Sequence, residues 1–299
     1  MLASLTKING YNPIKALFLK EFWDHRRAIF ITPLVVTVLF ILFVTVSFIT
    51  GNDILFNSIS LNDELLEGFA AAQEEGRSPR FIITSIVMFS PILLWIVAGF
   101  TMTFTALSSL HDERKDGSIL FWKSMPVSDT QEVLIKLATI TLLIPLVIVP
   151  FAIIIELFMV LLLTIIAIGT DINAWDMIYS NISLPVLLIG NIVPQLITVL
   201  WILPIITWFM LVSSFSRRPP FLIAFAAPAL TIATEEIFFD GSLLLKAMVS
   251  LFSNMGQNQG MGSYFATTSF TEPALYIGLA LAAAMTAGSI YFRKRNSLV

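Results

Sequence analysis

Six long apolar segments constrain this chain more than any other feature of its sequence. A helix that crosses the hydrocarbon core of a bilayer needs about 20 consecutive residues, most of them apolar. Segments that meet this requirement lie at about 28–49, 81–107, 137–168, 184–215, 219–239 and 274–292. No separate soluble domain is expected, because the longest polar segment, of roughly 30 residues, is too short for a core of its own. The sequence therefore predicts an all-α membrane protein with six transmembrane helices, forming a single domain over residues 1–299.

The composition supports this fold class and excludes several kinds of site. Only 12% of the residues are charged, whereas a soluble domain carries about 25%. The chain has no cysteine, which excludes disulfides, thiolate metal sites and cysteine nucleophiles. We expect membrane lipids as surroundings, and the small net charge of −3 gives no reason to expect a nucleic-acid partner.

The positions of the basic residues predict how the spans are oriented. If both termini are cytoplasmic, 14 of the 17 Lys and Arg residues lie on the cytoplasmic side, and only Arg77, Arg80 and Lys246 lie outside. Basic residues concentrate on the cytoplasmic side of membrane proteins. The sequence thus predicts cytoplasmic termini, with outer loops at 50–80 and 240–273.

Residues 1–27, before the first apolar segment, are predicted to contribute an interfacial helix. Bulky apolar residues such as Phe18 and Phe22 alternate there with charged residues such as Lys20 and Glu21. A helix with this mixture of side chains lies in the plane of the membrane surface. We therefore expect this segment to lie flat on the cytoplasmic leaflet.

An island of charge, His111–Lys136, separates the second and third apolar segments. Five charged residues of alternating sign precede Gly117, which is expected to break the helix. The residues that follow suit a short helix parallel to the membrane, with an exposed charged side. Ser128 or Asp129 is predicted to cap the next helix, with Glu132 completing a capping box. A solvated loop that only connects two spans would explain the same residues.

The island resembles the segment between the second and third spans of ABC-2 type transporter permeases. The residues that carry this resemblance are Glu113, Arg114, Gly117, Ser118, Lys123, Pro126, Ser128 and Lys136. The resemblance implies a type V exporter-like architecture, in which this segment forms a cytoplasmic coupling helix that docks on an ATP-binding subunit. The implied docking residues are Asp112, Glu113, Arg114, Lys115, Gly117, Ser118, Trp122 and Lys123. Among them, we expect Glu113 and Arg114 to be exposed.

The same resemblance implies the function and the partners. The chain would be the permease subunit of a bacterial exporter in the cytoplasmic (inner) membrane. It would work with two cytoplasmic ABC ATPase subunits and with a second permease chain, identical or different. The apolar spans favour an amphipathic or hydrophobic substrate. Two alternatives remain, namely a membrane anchor or sensor component without transport activity, and an ATP-independent secondary transporter.

The chain itself is not predicted to be an enzyme or to bind a cofactor or metal. Residues Gly117–Ser124 approach a phosphate-binding loop, but Trp122 stands where the second glycine is needed. ATP and Mg²⁺ would therefore be bound by the partner ATPase. The paired Glu235 and Glu236 resemble part of an intramembrane protease site, but both histidines of the chain lie far from them in the predicted topology.

Polar and small residues within the spans suggest further roles. Asn191, Gln195 and Thr198 share one helix face, where they could line a substrate path or form interhelical hydrogen bonds. Glu156 is expected near the outer surface, in contact with water, because it lies about 30 Å along the helix from Lys136. In the last span, the pairs Gly278 with Ala282 and Ala284 with Gly288 predict close helix packing.

Overall fold

The computed structural model describes residues 13–50, 79–124, 127–168, 175–179, 182, 184–239, 241, 243–249, 270 and 272–295. Within these ranges the protein is helical and contains no β-strand. Six helical stretches are long and apolar enough to cross a membrane, which confirms the predicted all-α, multi-pass fold class. Most of both predicted outer loops, and residues 125 and 126 of the island, lie outside the described residues.

The helices follow the predicted apolar segments closely. In chain order they are α1 (Pro13–Arg26), α2 (Thr32–Thr50), α3 (Pro79–Phe89), α4 (Ile92–Ser108), α5 (His111–Lys115), α6 (Ser118–Lys123), α7 (Asp129–Ala138), α8 (Ile144–Ile168), α9 (Leu184–Phe215), α10 (Pro220–Phe239) and α11 (Pro273–Arg295). Short π-helical segments at Arg27–Ile31 and Thr139–Leu143 join α1 to α2 and α7 to α8, and a third lies at Trp175–Tyr179. Such π-helical turns let a helix change register without ending.

A turn divides the second predicted span, at 81–107, into α3 and α4. Pro91 has no N–H to donate to the carbonyl of Val87, four residues earlier. Both the hydroxyl and the backbone N–H of Ser90 donate to that carbonyl, at 2.7 and 3.2 Å. An unpaired carbonyl is costly in a membrane, so these hydrogen bonds allow the span to continue past the proline.

The third span begins with a capping box, although not the predicted one. The Ser128 hydroxyl accepts the N–H of Gln131 at 3.2 Å, and the Ser128 N–H donates to Oε1 of Gln131 at 3.1 Å. The prediction of Ser128 as a possible N-cap is confirmed, but the prediction that Glu132 completes the box is wrong. Gln131 occupies the third helical position, and this frees Glu132 to make ion pairs described below.

Close packing between α9 and α11 organises the bundle. A Cβ atom at Gly278 would lie 3.1 Å from Cγ of Pro204, and one at Gly288 would lie 2.9 Å from Cδ1 of Leu211. The predicted close packing of the last span is therefore confirmed at Gly278, its partner Ala282, and Gly288, whereas Ala284 is exposed. The absence of side chains at the two glycines lets the helices approach each other.

Three apolar clusters of described residues lie inside the bundle, and one of them consists of Ile197, Trp201 and Leu275. The large apolar cluster includes Ile29, Leu94, Met102, Ile144, Ile148, Ala152, Ile155, Val199 and Met210. The small apolar cluster consists of Ile83, Val87, Val160, Ala167, Ile178, Ile182 and Leu187. Outside the bundle, large apolar residues are strongly exposed, and Leu222, Leu230 and Ile237 of α10 are 66–74% exposed. Such an apolar exterior suits contact with lipid chains.

Candidate functional site

Four helices bring six ionisable side chains together at one end of the bundle. They come from α1, α5, α7 and the last turn of α11. We call this set the ionic cluster, and its members are Lys20, Glu21, Glu113, Glu132, Lys136 and Arg293. No side chain in it is more than 12% exposed. Three acids face three bases, so the cluster carries no formal net charge.

Glu113 is the centre of the ionic cluster. Its Oε1 lies 2.6 Å from Nζ of Lys20 and 2.9 Å from Nζ of Lys136. Its Oε2 accepts a hydrogen bond from Nη1 of Arg293 at 3.0 Å. Charge-assisted hydrogen bonds of this kind are roughly twice as strong as neutral ones. One carboxylate on the five-residue helix α5 thereby binds three other helices.

The remaining members connect the same helices to one another. Nζ of Lys136 donates to Oε1 of Glu21 at 2.8 Å, which joins α7 to α1. Oε2 of Glu132 lies 2.5 Å from Nη2 of Arg293, which joins α7 to α11. Because every charge has at least one opposite partner, the desolvation cost of burial is offset by ion pairing.

Arg114, the residue after Glu113, binds a different part of the protein. Its Nη2 donates to the carbonyls of Ser213 and Ser216 at 2.6 and 2.9 Å. These carbonyls belong to the C-terminal end of α9, where helix carbonyls have no intrahelical partner and the helix dipole is negative. The guanidinium of Arg114 donates hydrogen bonds to these carbonyls, and its positive charge is stabilised by the negative end of the dipole. Arg114 therefore needs no carboxylate partner in order to be buried.

The start of α5 is fixed to the same end of α9. The Ser213 hydroxyl accepts hydrogen bonds from the backbone N–H groups of Leu110 and His111, at 3.1 and 3.0 Å. These N–H groups lie at the N-terminal end of α5, where helical donors lack intrahelical acceptors. Thus α5 is attached to span four through both its backbone and Arg114.

The helix α6 turns away from this attachment and presents an exposed face. Gly117 has φ = +72°, a left-handed conformation that disfavours residues with a Cβ atom, and the predicted helix break at this residue is confirmed. Ile119 is buried, and Nζ of Lys20 lies 3.8 Å from the centre of a Trp122 ring, a cation–π contact. These two side chains hold one side of α6 against the bundle.

The opposite side, together with the outer side of α5, faces away from the protein. We call it the α5–α6 surface. It consists of Asp112, Lys115, Asp116, Leu120, Phe121 and Lys123, all of which are exposed. It combines charges of both signs with two large apolar side chains, Leu120 and Phe121.

The structure distributes the predicted docking residues among three environments. Asp112, Lys115 and Lys123 are exposed, and Gly117, Ser118 and Trp122 are half-buried. Glu113 and Arg114 are buried, so the expectation that these two are exposed is wrong. The reason is that each finds compensating partners on helices distant in sequence, Glu113 in the ionic cluster and Arg114 at the end of α9.

Sequence analysis did not identify Lys20, Glu21, Glu132 and Arg293 as members of one cluster. A partial signal exists, because Glu132 and Lys136 are four residues apart and share a helix face. Likewise, Glu21 follows the buried Leu17 by one helical turn. The helical spacing of these charged residues therefore indicates that they face the inside of the bundle. It does not indicate which helix supplies their partners.

The three residues of the possible substrate path do not share one environment. Asn191 is buried and donates hydrogen bonds to Glu156 of α8, which confirms the alternative of interhelical hydrogen bonding for this residue. Gln195 and Thr198 are half-buried. A role for Asn191, Gln195 and Thr198 in a substrate path stays a prediction.

Comparisons with protein-family models, curated proteins and solved structures found no match for this chain.

Proposed function

We propose that the chain is the permease subunit of an ATP-binding cassette exporter. In this role it couples ATP hydrolysis by a separate cytoplasmic ATPase subunit to the export of an amphipathic or hydrophobic substrate. The main support is the position of Glu113, which lies directly behind the α5–α6 surface and forms ion pairs with three helices. A partner that moved this surface would act on all of them.

The connections behind the surface suit the transmission of force. Through Glu113 they lead to α1, to α7 and to α11, which continue into or form the first, third and sixth spans. Through Arg114 they lead to α9, the fourth span. Burial of these charges carries a desolvation cost of several kcal/mol per ion, and a loop that only joined two spans would not need connections to four of them. Rigid connections of this kind can convert docking into a rigid-body motion of spans.

The proposed orientation places this surface where ATP is available. The positive-inside rule assigns the end of the bundle that carries the ionic cluster to the cytoplasm. Two permease chains and two ATPase subunits would form the complete exporter. The described residues of the spans carry few charges, and this favours an apolar or amphipathic transport substrate.

The proposal is tested by purifying the full-length chain with its natural partners. Tagged protein, extracted from its own membrane in mild detergent, should retain an ATPase subunit, and reconstitution of the two should stimulate ATP hydrolysis. The double reversal Asp112→Lys with Lys115→Glu keeps the net charge and alters only exposed side chains. It should abolish both co-purification and stimulation, because like charges that face each other across an interface cost several kcal/mol.

A matched control uses another pair of exposed residues. The double reversal Glu236→Lys with Lys246→Glu also keeps the net charge and lies far in sequence from the α5–α6 surface. It should leave ATPase binding unchanged. If both variants bind equally well, the α5–α6 surface is not the docking site. If the parent chain retains no ATPase, an anchor or sensor component becomes the better interpretation, and transport without ATP would favour a secondary transporter.

A further inference from the structure

A second buried acid lies in the middle of the bundle, separate from the ionic cluster. Glu156 of α8 is 0% exposed. Nδ2 of Asn191 lies 2.9 Å from both of its carboxyl oxygens, and also 2.9 Å from the carbonyl of Leu187. The expectation that Glu156 contacts water near the outer surface is wrong. The helix extends 12 residues beyond it to Ile168, and neighbouring helices pack around this part.

The hydrogen bonds to Glu156 are too few for a buried negative charge. The side-chain amide of Asn191 has two N–H groups, and three oxygens share them. A carboxylate offers about four lone-pair sites and carries a full charge. The amide is neutral, so it leaves that charge uncompensated, and an uncompensated charge is strongly disfavoured away from water.

No cation whose side chain the structure describes compensates for this shortage. Among the described residues, no ion pair includes Glu156. The elements packed against α8 are α2, α3, α4, α9 and the three π-helical segments. Their ionisable residues are Arg27, Arg80, Asp176 and Tyr179. Arg27 is exposed at the start of the first span, and the Tyr179 hydroxyl contacts Thr164, two helical turns beyond Glu156, at 3.0 Å.

Apolar side chains enclose the pair from both directions along α8. Ala152 and Ile155, just before Glu156, belong to the large apolar cluster. Val160, one turn after it, belongs to the small apolar cluster, as does Leu187, one turn before Asn191 on α9. The carboxyl group is thus placed between two regions that exclude water.

We infer that Glu156 binds a proton inside the membrane and is a neutral carboxylic acid while α8 and α9 are packed together. One proton adds to one carboxylate oxygen, no other bond changes, and the charge disappears. The neutral group keeps its hydrogen bond with Asn191. Release of the proton restores the charge, which then requires water, so proton release and separation of α8 from α9 occur together. The ligand of this site is a proton drawn from water, and the inference does not depend on an ATPase partner.

Infrared spectroscopy of the full-length chain in lipid nanodiscs tests the protonation state. At neutral pH the parent should show the carbonyl stretching band of a protonated carboxyl group, and Glu156→Gln should lose it. Glu236→Gln, which alters an exposed acid, is the control and should keep this band. Asn191→Ala should keep the carboxylic acid band but shift it to higher frequency, because its hydrogen-bond donor is gone.

The pH dependence of unfolding gives a second measurement on the same proteins. Folding that requires a bound proton is favoured less as the pH rises. Between about pH 6 and about pH 9, the parent should lose more thermal stability than Glu156→Gln. A carboxylate band for Glu156 in the packed protein at neutral pH would overturn the inference. If Glu156→Gln does not fold, the expected shift of the carboxylic acid band in Asn191→Ala is the test. A spectrum that Asn191→Ala leaves unchanged would also overturn the inference.

Discussion

The ionic cluster and the Glu156–Asn191 pair both bury carboxyl groups, but they neutralise them differently. Glu113 has three basic partners from three helices, and the cluster balances three acids with three bases. Glu156 has one neutral amide partner. Ion pairing suits the first site because charged residues of both signs occur there at the ends of apolar segments. In the second site only protonation removes the charge.

The comparison indicates what each site can do. A balanced cluster connects helices strongly, but removal of any one charge leaves others buried and unpaired. A neutral acid contributes a modest hydrogen bond and can be replaced by an uncharged group of the same shape. The same chemical substitution should therefore have very different effects at the two sites. Single substitutions should therefore differ widely in how much stability they remove, and the largest expected loss is at Glu113.

Glu113→Gln should have the largest effect. Among the described residues, Glu113 is the one acid that binds Lys20, Lys136 and Arg293 together, so its removal leaves these cations with much less compensation. We expect a loss of about 3–5 kcal/mol in the free energy of unfolding, typical of a broken buried ion pair. Denaturant titration of the full chain in mixed micelles measures it. Asp112→Asn, on the exposed side of the same helix, is the control, and a loss no greater than the control's would contradict the prediction.

Arg114→Met should have the next largest effect. The substitution keeps an apolar stem but leaves the carbonyls of Ser213 and Ser216 without their charged donor. Hydrogen bonds to charged groups contribute about 1.5–3 kcal/mol, and we expect a loss of that size. Faster amide hydrogen exchange in α5 should accompany it, because α5 would be released from α9. Lys115→Met, which alters an exposed neighbour, should change stability by less than about 0.5 kcal/mol.

Gly117→Ala tests the connection between the ionic cluster and the α5–α6 surface. A Cβ atom at Gly117 meets no other atom within 4 Å, so the cost comes only from the backbone, at φ = +72°. A left-handed residue with a side chain costs about 1–2 kcal/mol. Gly99→Ala is a matched control, because a Cβ atom there also meets nothing, but Gly99 lies inside the helix α4. The control should stabilise the protein by about 0.5–1 kcal/mol, and equal effects would contradict the argument.

The sequence predicted local features of these sites and missed those that depend on distant partners. The six apolar segments and the break at Gly117 follow from residues that are neighbours in the chain. The partners of Glu113 lie 93 residues before it, at Lys20, and 180 residues after it, at Arg293. No local pattern encodes such distances. Likewise, counting along the helix from Lys136 could not show that side chains of neighbouring helices bury Glu156.

Glu156→Gln should have the smallest effect and completes the comparison with Glu113→Gln. If Glu156 is a neutral carboxylic acid, the substitution exchanges one uncharged polar group for another of nearly the same shape. Asn191 can then still form a hydrogen bond with the side-chain oxygen of the new amide. We expect the free energy of unfolding at neutral pH to change by less than about 1 kcal/mol, within the range of a single neutral hydrogen bond. The same denaturant titration measures it, with Glu113→Gln studied in parallel. A loss as large as that of Glu113→Gln would mean that a charge, rather than a proton-bearing acid, is held at Glu156.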